Sequence, residues 1–204
     1  MHSEILTEGQ AALLPLVARF KDSFGLVGGT AIALQIGHRE SIDFDLFTRE
    51  EFKNARIRDI VKRAGKTIDT VYANETGHFT FIIEGVQFTF FQFDYPVEYS
   101  VPFDEYARMP TLLSLAAMKA FAFGQRAKWR DYVDMYCILR HHHSLGEISE
   151  RAETLFGGEF NERLFRQQLD YFDDIDYRQK VVFKPGFEVP DEEIKRALQD
   201  YSTA

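Results

Sequence analysis

The sequence predicts an α+β protein: a small mixed β-sheet with flanking helices, followed by a largely helical C-terminal region. Three observations predict it. Up to about residue 95, segments with apolar residues at helical spacing interchange with segments that are apolar at every second position. From Pro110 onward only the helical spacing remains. Between the two regimes, the stretch from Pro96 to Pro110 holds three prolines, which places the expected boundary between a core, residues 1–103, and a helical region, residues 104–204.

Each element has its own signal. GQAALLPLVARF repeats apolar residues at helical spacing, so residues 8–21 read as a helix that Pro15 interrupts. Gly25-Leu26-Val27 closes a short buried strand, Gly28-Gly29 turns, and Thr30 is positioned to cap a short helix over 31–36. Gly37-His38-Arg39 breaks that helix, and residues 41–47 form a strand. Thr48 with Glu51 three residues on has the capping-box pattern, which predicts a helix reaching about Ala64. Residues 66–74 read as a strand, and HFTFIIEGVQFTFFQFDYP as a hairpin turning at Glu84-Gly85. TLLSLAAMKAFAFGQR and WRDYVDMYCILRHH are two successive helices, further helices lie within 147–172, and DEEIKRALQDY forms the last. The chain carries no internal repeat and no low-complexity segment.

Composition narrows the function classes. A chain of 204 residues with 45% hydrophobic and 27% charged residues can bury a sizeable core. No apolar run approaches a membrane span, and MHSEILTEGQ lacks the basic start and apolar centre of a secretion signal. The single cysteine, Cys137, permits no internal disulfide and sits among apolar neighbours, so a cytoplasmic address and a packing role are expected. A net charge of −8 argues against a generic nucleic-acid coat but leaves room for a local basic groove around Arg126, Lys128 and Arg130. Twenty phenylalanines and nine tyrosines read as an aromatic core.

The chemistry concentrates in LVGGTAIALQIGHRESIDFDLFT. Side chains alternate on a strand, so Asp43 and Asp45 share one face and Phe44 takes the other. Two carboxylates on one face repel, and burial without partners is costly. A hard divalent cation removes both objections, since magnesium (Mg2+) takes one or two carboxylates plus substrate phosphates. A pair at an exposed strand end answered by Arg39 or Arg49 fits the spacing equally well. A glycine turn opening a helix offers backbone N–H groups to an anion, although Gly28-Gly29 alone is also an ordinary turn. Lys119 lies in an otherwise apolar helix, where an ammonium calls for an anion unless it snorkels to water. Asp131 and Asp134 read either as a functional pair or as a helix-surface pair. His38 is a lone histidine in a turn, and the consecutive His141, His142 and His143 point about 100° apart on a helix, so they do not converge on one ion.

These residues carry a resemblance. Gly28-Gly29-Thr30, twelve intervening residues, then Asp43-Phe44-Asp45 resembles the signature of the DNA polymerase β-like nucleotidyltransferase superfamily. The fuller GGTAIALQIGHRESIDFDLF resembles the abortive-infection toxins of the AbiEii/AbiGii type, and LAAMKAFAFGQRAKWRDYVDMYCIL and QQLDYFDDID agree with later parts of that family. The resemblance implies a nucleotidyltransferase core that moves a nucleoside monophosphate from an NTP to an acceptor hydroxyl. It puts Gly28, Gly29 and Thr30 against the triphosphate and Asp43 and Asp45 on magnesium. Lys119 matches the family's motif lysine, which is expected to meet phosphate, and Asp131 matches the acidic residue that follows in the RD-x-x-D element. Beside the resemblance, the positions of Arg39 and Ser41 suit them to orient Asp43 or bind phosphate. The resemblance further implies the toxin of a toxin–antitoxin pair used in phage defence, with RNA such as the tRNA acceptor end as acceptor and a cognate antitoxin as partner.

The superfamily pattern is incomplete here. A third carboxylate belongs inside the strand QFTFFQF, where this chain has Thr89, and Asp94 lies past the strand on the opposite face by parity. Either Asp94 is recruited through a bulge, or Asp131 does this work, or activation of the acceptor is weak. Two rival expectations follow: a nucleotide-binding module without turnover, and a transferase acting on a small hydroxylated molecule of the antibiotic type.

Overall fold

A computed structural model describes residues 1–123, 128–173 and 175–203. The chain divides into two compact units, residues 1–36 with 41–111 and residues 37–40 with 112–204. Residue 104, where the prolines placed the expected boundary, lies in the turn of a short hairpin of the first unit.

The first unit contains α1 (Glu8–Val17), β1 (Gly25–Val27), α2 (Gly28–Ile36), β2 (Asp43–Thr48), α3 (Asn54–Arg63), β3 (Thr70–Glu75), β4 (His78–Ile83), β5 (Val86–Gln92), β6 (Val101–Phe103) and β7 (Ala107–Met109). Five strands form one sheet in the order β1-β2-β5-β4-β3, with β2 parallel to β5 and every other neighbour antiparallel. The mixed sheet follows from connectivity. β4 and β5 are joined by two residues, Glu84 and Gly85, both at positive φ (51° and 80°), the tight primed turn that matches strand twist. β2 and β5 are separated by a helix and a hairpin, which allows parallel pairing.

Alternation divides the sheet into two unlike faces. On one, Phe44, Phe79, Phe81, Phe88 and Phe90 are fully buried, and Phe81 stacks on Phe88 and Phe90 at 5.7 and 5.8 Å. Phe20 and Phe24, just after α1, pack edge-on against Phe90, and Arg58 of α3 lies 4.5 Å over the Phe79 ring. The hydrophobic effect is spent on this face, where each aromatic contributes about 1.5–3 kcal/mol. The opposite face carries Asp43, Asp45 and Phe47 of β2, all partly exposed.

Three element boundaries differ from expectation. Thr48 does not cap a helix. It ends β2 opposite Gln92, its hydroxyl accepts from the Glu50 N–H at 3.2 Å, and α3 starts only at Asn54. The sheet ladder holds Thr48 extended, and tertiary pairing overrides the local capping pattern. α2 begins at Gly28, two residues ahead of Thr30, so Thr30 sits in its first turn. The strand expected from residue 66 begins at Thr70, because ladder pairing with β4 reaches only that far.

The second unit is helical: α4 (Leu112–Phe123), α5 (Trp129–His141), α6 (Leu145–Phe156), α7 (Glu162–Leu169) and α8 (Asp191–Thr203). α4 packs on α5, α6 and α7, and α8 packs on α5 and α7. α5 is the central helix, buried from Tyr132 through Leu139. Cys137 is 3% exposed and burial pushes its thiol up to about 12, as a packing cysteine requires. Residues 37–40 join this unit through a short antiparallel contact. Glu40 N–H donates to Val182 O at 2.8 Å and Lys184 N–H to His38 O at 3.0 Å. No helix among the described residues is long and apolar enough to cross a membrane. Arg126, part of the expected basic groove, lies outside the described residues.

Candidate active site

The acid pair is set by the register of β2. Asp43 pairs with Gln87 and Asp45 with Thr89 on β5, while Asp45 pairs with Val27 on β1. Asp43 and Asp45 therefore stand on the same face, partly exposed, as alternation requires. Val27 leads directly into Gly28, the first residue of α2, so the glycine turn and the acids meet at neighbouring positions of the sheet. The fit is close. Gly28 has φ +70°, and a β-carbon there would fall 2.2 Å from Asp45 Oδ2. Only glycine serves both the left-handed backbone and that approach. Gly29 is partly exposed in the first turn of α2.

A buried polar network holds Asp43 from behind. The Thr30 hydroxyl donates to the Asp43 carbonyl oxygen. Having one proton, already given to an acceptor, it accepts from Ser41 Oγ at 2.7 Å. Gln10 adds a bond from Nε2 to the same carbonyl at 3.3 Å. Thr30, Ser41 and Gln10 are all buried, at 2%, 3% and 0% exposure. Gln10 is not among the residues the sequence singles out, though Thr7-x-x-Gln10 is a capping-box pattern. The box is formed: Gln10 N–H donates to Thr7 Oγ1, and Thr7 N–H to Gln10 Oε1, both at 3.2 Å.

No carboxylate occupies the position beside Asp45. Thr89 is there, near Thr80 Oγ1 at 3.5 Å and Gln87 Nε2 at 3.4 Å. β5 keeps its register from Val86 to Gln92, so no bulge brings Asp94 round. Asp94 is exposed and accepts from Gln92 Nε2 at 3.0 Å. Among the described residues, no group of three or more His, Cys, Asp or Glu side chains forms a metal-holding cluster. The donor set is a pair of hard carboxylate oxygens, which suits a cation that fills its remaining positions with phosphate and water.

The second unit gathers the remaining residues into one buried charge network. Asp134 is fully buried and receives Arg39 Nε at 2.6 Å, Arg39 Nη2 at 2.8 Å and His38 Nε2 at 2.7 Å. Lys119 Nζ reaches Asp134 at 3.0 Å and Asp131 at 2.6 Å. The anion that Lys119 called for is thus supplied by two carboxylates of α5. Burial alone would raise the Asp134 carboxyl, but Arg39, Lys119 and the hydrogen bond from His38 outweigh it and hold it well below the ordinary carboxylate range. An ionised Asp134 can only accept, so His38 carries its proton on Nε2. Burial lowers the His38 pKa despite Asp134, and its Nδ1 has no hydrogen-bond partner. Arg39 therefore answers Asp134, not Asp43, and of the two expected supports for Asp43 only Ser41 lies behind it. The His141–His143 run is a helix end, with His141 and His142 exposed.

The mixed sheet thus carries its paired acids on one partly exposed face, next to a glycine turn that starts a helix. Solved structures agree on the fold. The crystal structure of a putative nucleotidyltransferase from Helicobacter pylori superposes with a TM-score of 0.62 at 18% identity, covering 96% of this chain and 92% of that one. JHP933 from Helicobacter pylori gives 0.66 at 18% identity, covering 97% and 92%. MenT4, a nucleotidyltransferase toxin from Mycobacterium tuberculosis H37Rv, gives 0.63 at 12% identity, covering 94% and 80%. An uncharacterized protein of Aquifex aeolicus (strain VF5) is 26% identical over 187 residues, 88% of each chain. The family of nucleotidyl transferase AbiEii toxins, of the type IV toxin–antitoxin system, matches residues 16–201, and this chain belongs to it.

Proposed function

We propose that the protein transfers a nucleoside monophosphate from an NTP to an acceptor hydroxyl. The observation that carries this is the Asp43/Asp45 pair with Gly28 pressed against Asp45. Asp43 and Asp45 would hold magnesium, which when bound neutralises charge on the triphosphate and on the leaving pyrophosphate. The backbone of Gly28, Gly29 and Thr30 offers N–H groups to phosphate. The buried hydroxyls of Thr30 and Ser41, with Gln10, fix the main chain at Asp43, so their part is to orient the acid. For Lys119, which Asp131 and Asp134 already pair, we infer the phosphate-directed role that the motif resemblance implies. In the reaction the acceptor oxygen bonds to the α-phosphorus, the bond from that phosphorus to the bridging oxygen of pyrophosphate breaks, and the acceptor proton leaves to solvent or to a carboxylate. With threonine at position 89, activation of that hydroxyl is modest.

Membership among type IV toxins supports an antitoxin partner. A part in phage defence, with RNA such as the tRNA acceptor end as the acceptor, is our own reading. A second reading, nucleotide binding without turnover, is favoured by Thr89 standing where an activating acid would be. Incubation with magnesium, each radiolabelled NTP in turn and total cellular RNA separates them, with Asp45→Ala as control. Label in RNA that the variant abolishes supports the transferase and names the nucleotide. Retained NTP binding with no label in any acceptor and no pyrophosphate supports the second reading. Pyrophosphate release without labelled RNA points to a small hydroxylated acceptor.

A further inference from the structure

The aromatic residues of the five-stranded sheet divide between its two faces. The rings that build the core face the helices. A second set lies on the acid-bearing face. Phe47 of β2 is in register with Phe91 of β5, ring centroids 5.3 Å apart. Phe93 continues the row at 5.4 Å from Phe47, its N–H donating to Thr48 O at 2.8 Å, and Tyr95 follows at 4.9 Å from Phe93. His78 closes the other end, edge-on to Phe91 at 5.5 Å. All five are partly exposed.

Position and length select the occupant. Phe47 stands two residues beyond Asp45 on the same face, about 7 Å along the strand. The row is several rings long, more than the single base of an NTP covers. Exposed Arg49 and Lys53 follow directly after β2, where a backbone phosphate could be met. Flat π surfaces in series beside a few cations are how proteins hold unpaired bases without reading sequence. We propose that Phe47, Phe91, Phe93 and Tyr95 form a stacking platform for the unpaired bases of a single-stranded nucleic-acid acceptor, leading its terminal hydroxyl toward Asp43 and Asp45. This rests on the transferase reading for the acceptor's direction, while the platform itself is tested by binding alone.

The test uses the full chain and a fluorescein-labelled ten-residue oligoadenylate, without NTP or metal. The single strand is expected to bind more tightly than the same sequence in a blunt duplex. Phe47→Leu and Phe93→Leu each weaken it by about five-fold or more, the cost of one lost stacked base. Phe93→Trp, which keeps a stacking face, retains or gains affinity, which a folding defect would not produce. With two cations available, affinity falls only shallowly with salt, with a logarithmic slope of about −1.4. Equal binding by wild type and both leucine variants overturns the proposal. So does a loss confined to NTP affinity, which would assign the rings to the incoming nucleotide. Ring-dependent oligonucleotide binding by a wild-type protein that releases no pyrophosphate keeps the platform and removes the transferase. Transfer that the leucine variants leave untouched does the reverse.

Discussion

Asp134→Asn removes one charge from the centre of the buried network while preserving its shape. In the native chain two carboxylate oxygens receive Arg39 twice, His38 and Lys119, all within 3.0 Å. The side chains of Asp134, Arg39 and Lys119 are 0%, 2% and 5% exposed, so water cannot take over. Lys119 keeps Asp131 at 2.6 Å, whereas the Arg39 side chain loses the carboxylate that receives its Nε and Nη2. Leaving a buried guanidinium uncompensated costs about 3–5 kcal/mol. For a chain of this size that lowers Tm by about 6–20 °C. Urea melts at pH 7 give the free energy, and a scan gives the shift. Replacing the pair together, Arg39→Met with Asp134→Leu, recovers part of the loss, because two apolar groups need no partner while the buried His38 Nε2–H loses its acceptor. The native pair also has a pH signature. The Asp134 pKa is depressed in the folded state, so its stabilisation is full above the ordinary carboxylate pKa. It is lost as pH falls toward the folded value, and Asp134→Asn flattens this acid limb. A cost below about 1 kcal/mol for Asp134→Asn, typical of surface pairs, would refute the reasoning.

Three further outcomes follow from named contacts. His38 is held neutral when folded but takes up a proton near pH 6.5 when unfolded, so stability falls as pH drops below that value, by up to about 1.4 kcal/mol per pH unit. His38→Gln, which keeps a donor toward Asp134, removes this share, and an unchanged difference between urea melts at pH 5.5 and 7.5 counts against it. Gly28→Ala forces a β-carbon into the left-handed region against Asp45 Oδ2, costing about 1–2 kcal/mol, and on the transferase reading it lowers turnover by about ten-fold or more. Both losses are read from melts and from labelled-nucleotide transfer. Cys137, buried and with its thiol raised to about 12, reacts with maleimide at pH 8 only as the chain unfolds, so labelling rates track urea concentration.

How much was legible in the sequence depended on how far apart the determining residues lie. The Glu84-Gly85 turn and the Asp-Phe-Asp alternation were readable because their causes are local: two residues at positive φ, and the two-residue period of a strand. Thr48 misled because a ladder bond from another strand decides its backbone, and no local pattern carries that. Lys119 and Asp131 each stand out in the sequence, but that one answers the other depends on the packing of α4 against α5. The partnership of Arg39 with Asp134 spans 95 positions, and only the folded chain reveals it. Periodicity placed Thr89 in a strand interior, but that an acid belongs there is implied only by the resemblance to the superfamily.

The brief passage of residues 37–40 into the helical unit has a consequence for synthesis on the ribosome. His38 and Arg39 emerge early, but their carboxylate is 95 residues away from Arg39, about 5–20 s of translation later. Until Asp134 appears, the nascent chain carries an arginine whose native place does not yet exist. Cutting the gene between residues 111 and 112 would make the same separation permanent. One fragment would hold the orphaned arginine and histidine, and the other an acid stripped of three of its four bonds. The two units are compact in space, yet the genetic text interleaves them, and neither half is a module that recombination could move alone.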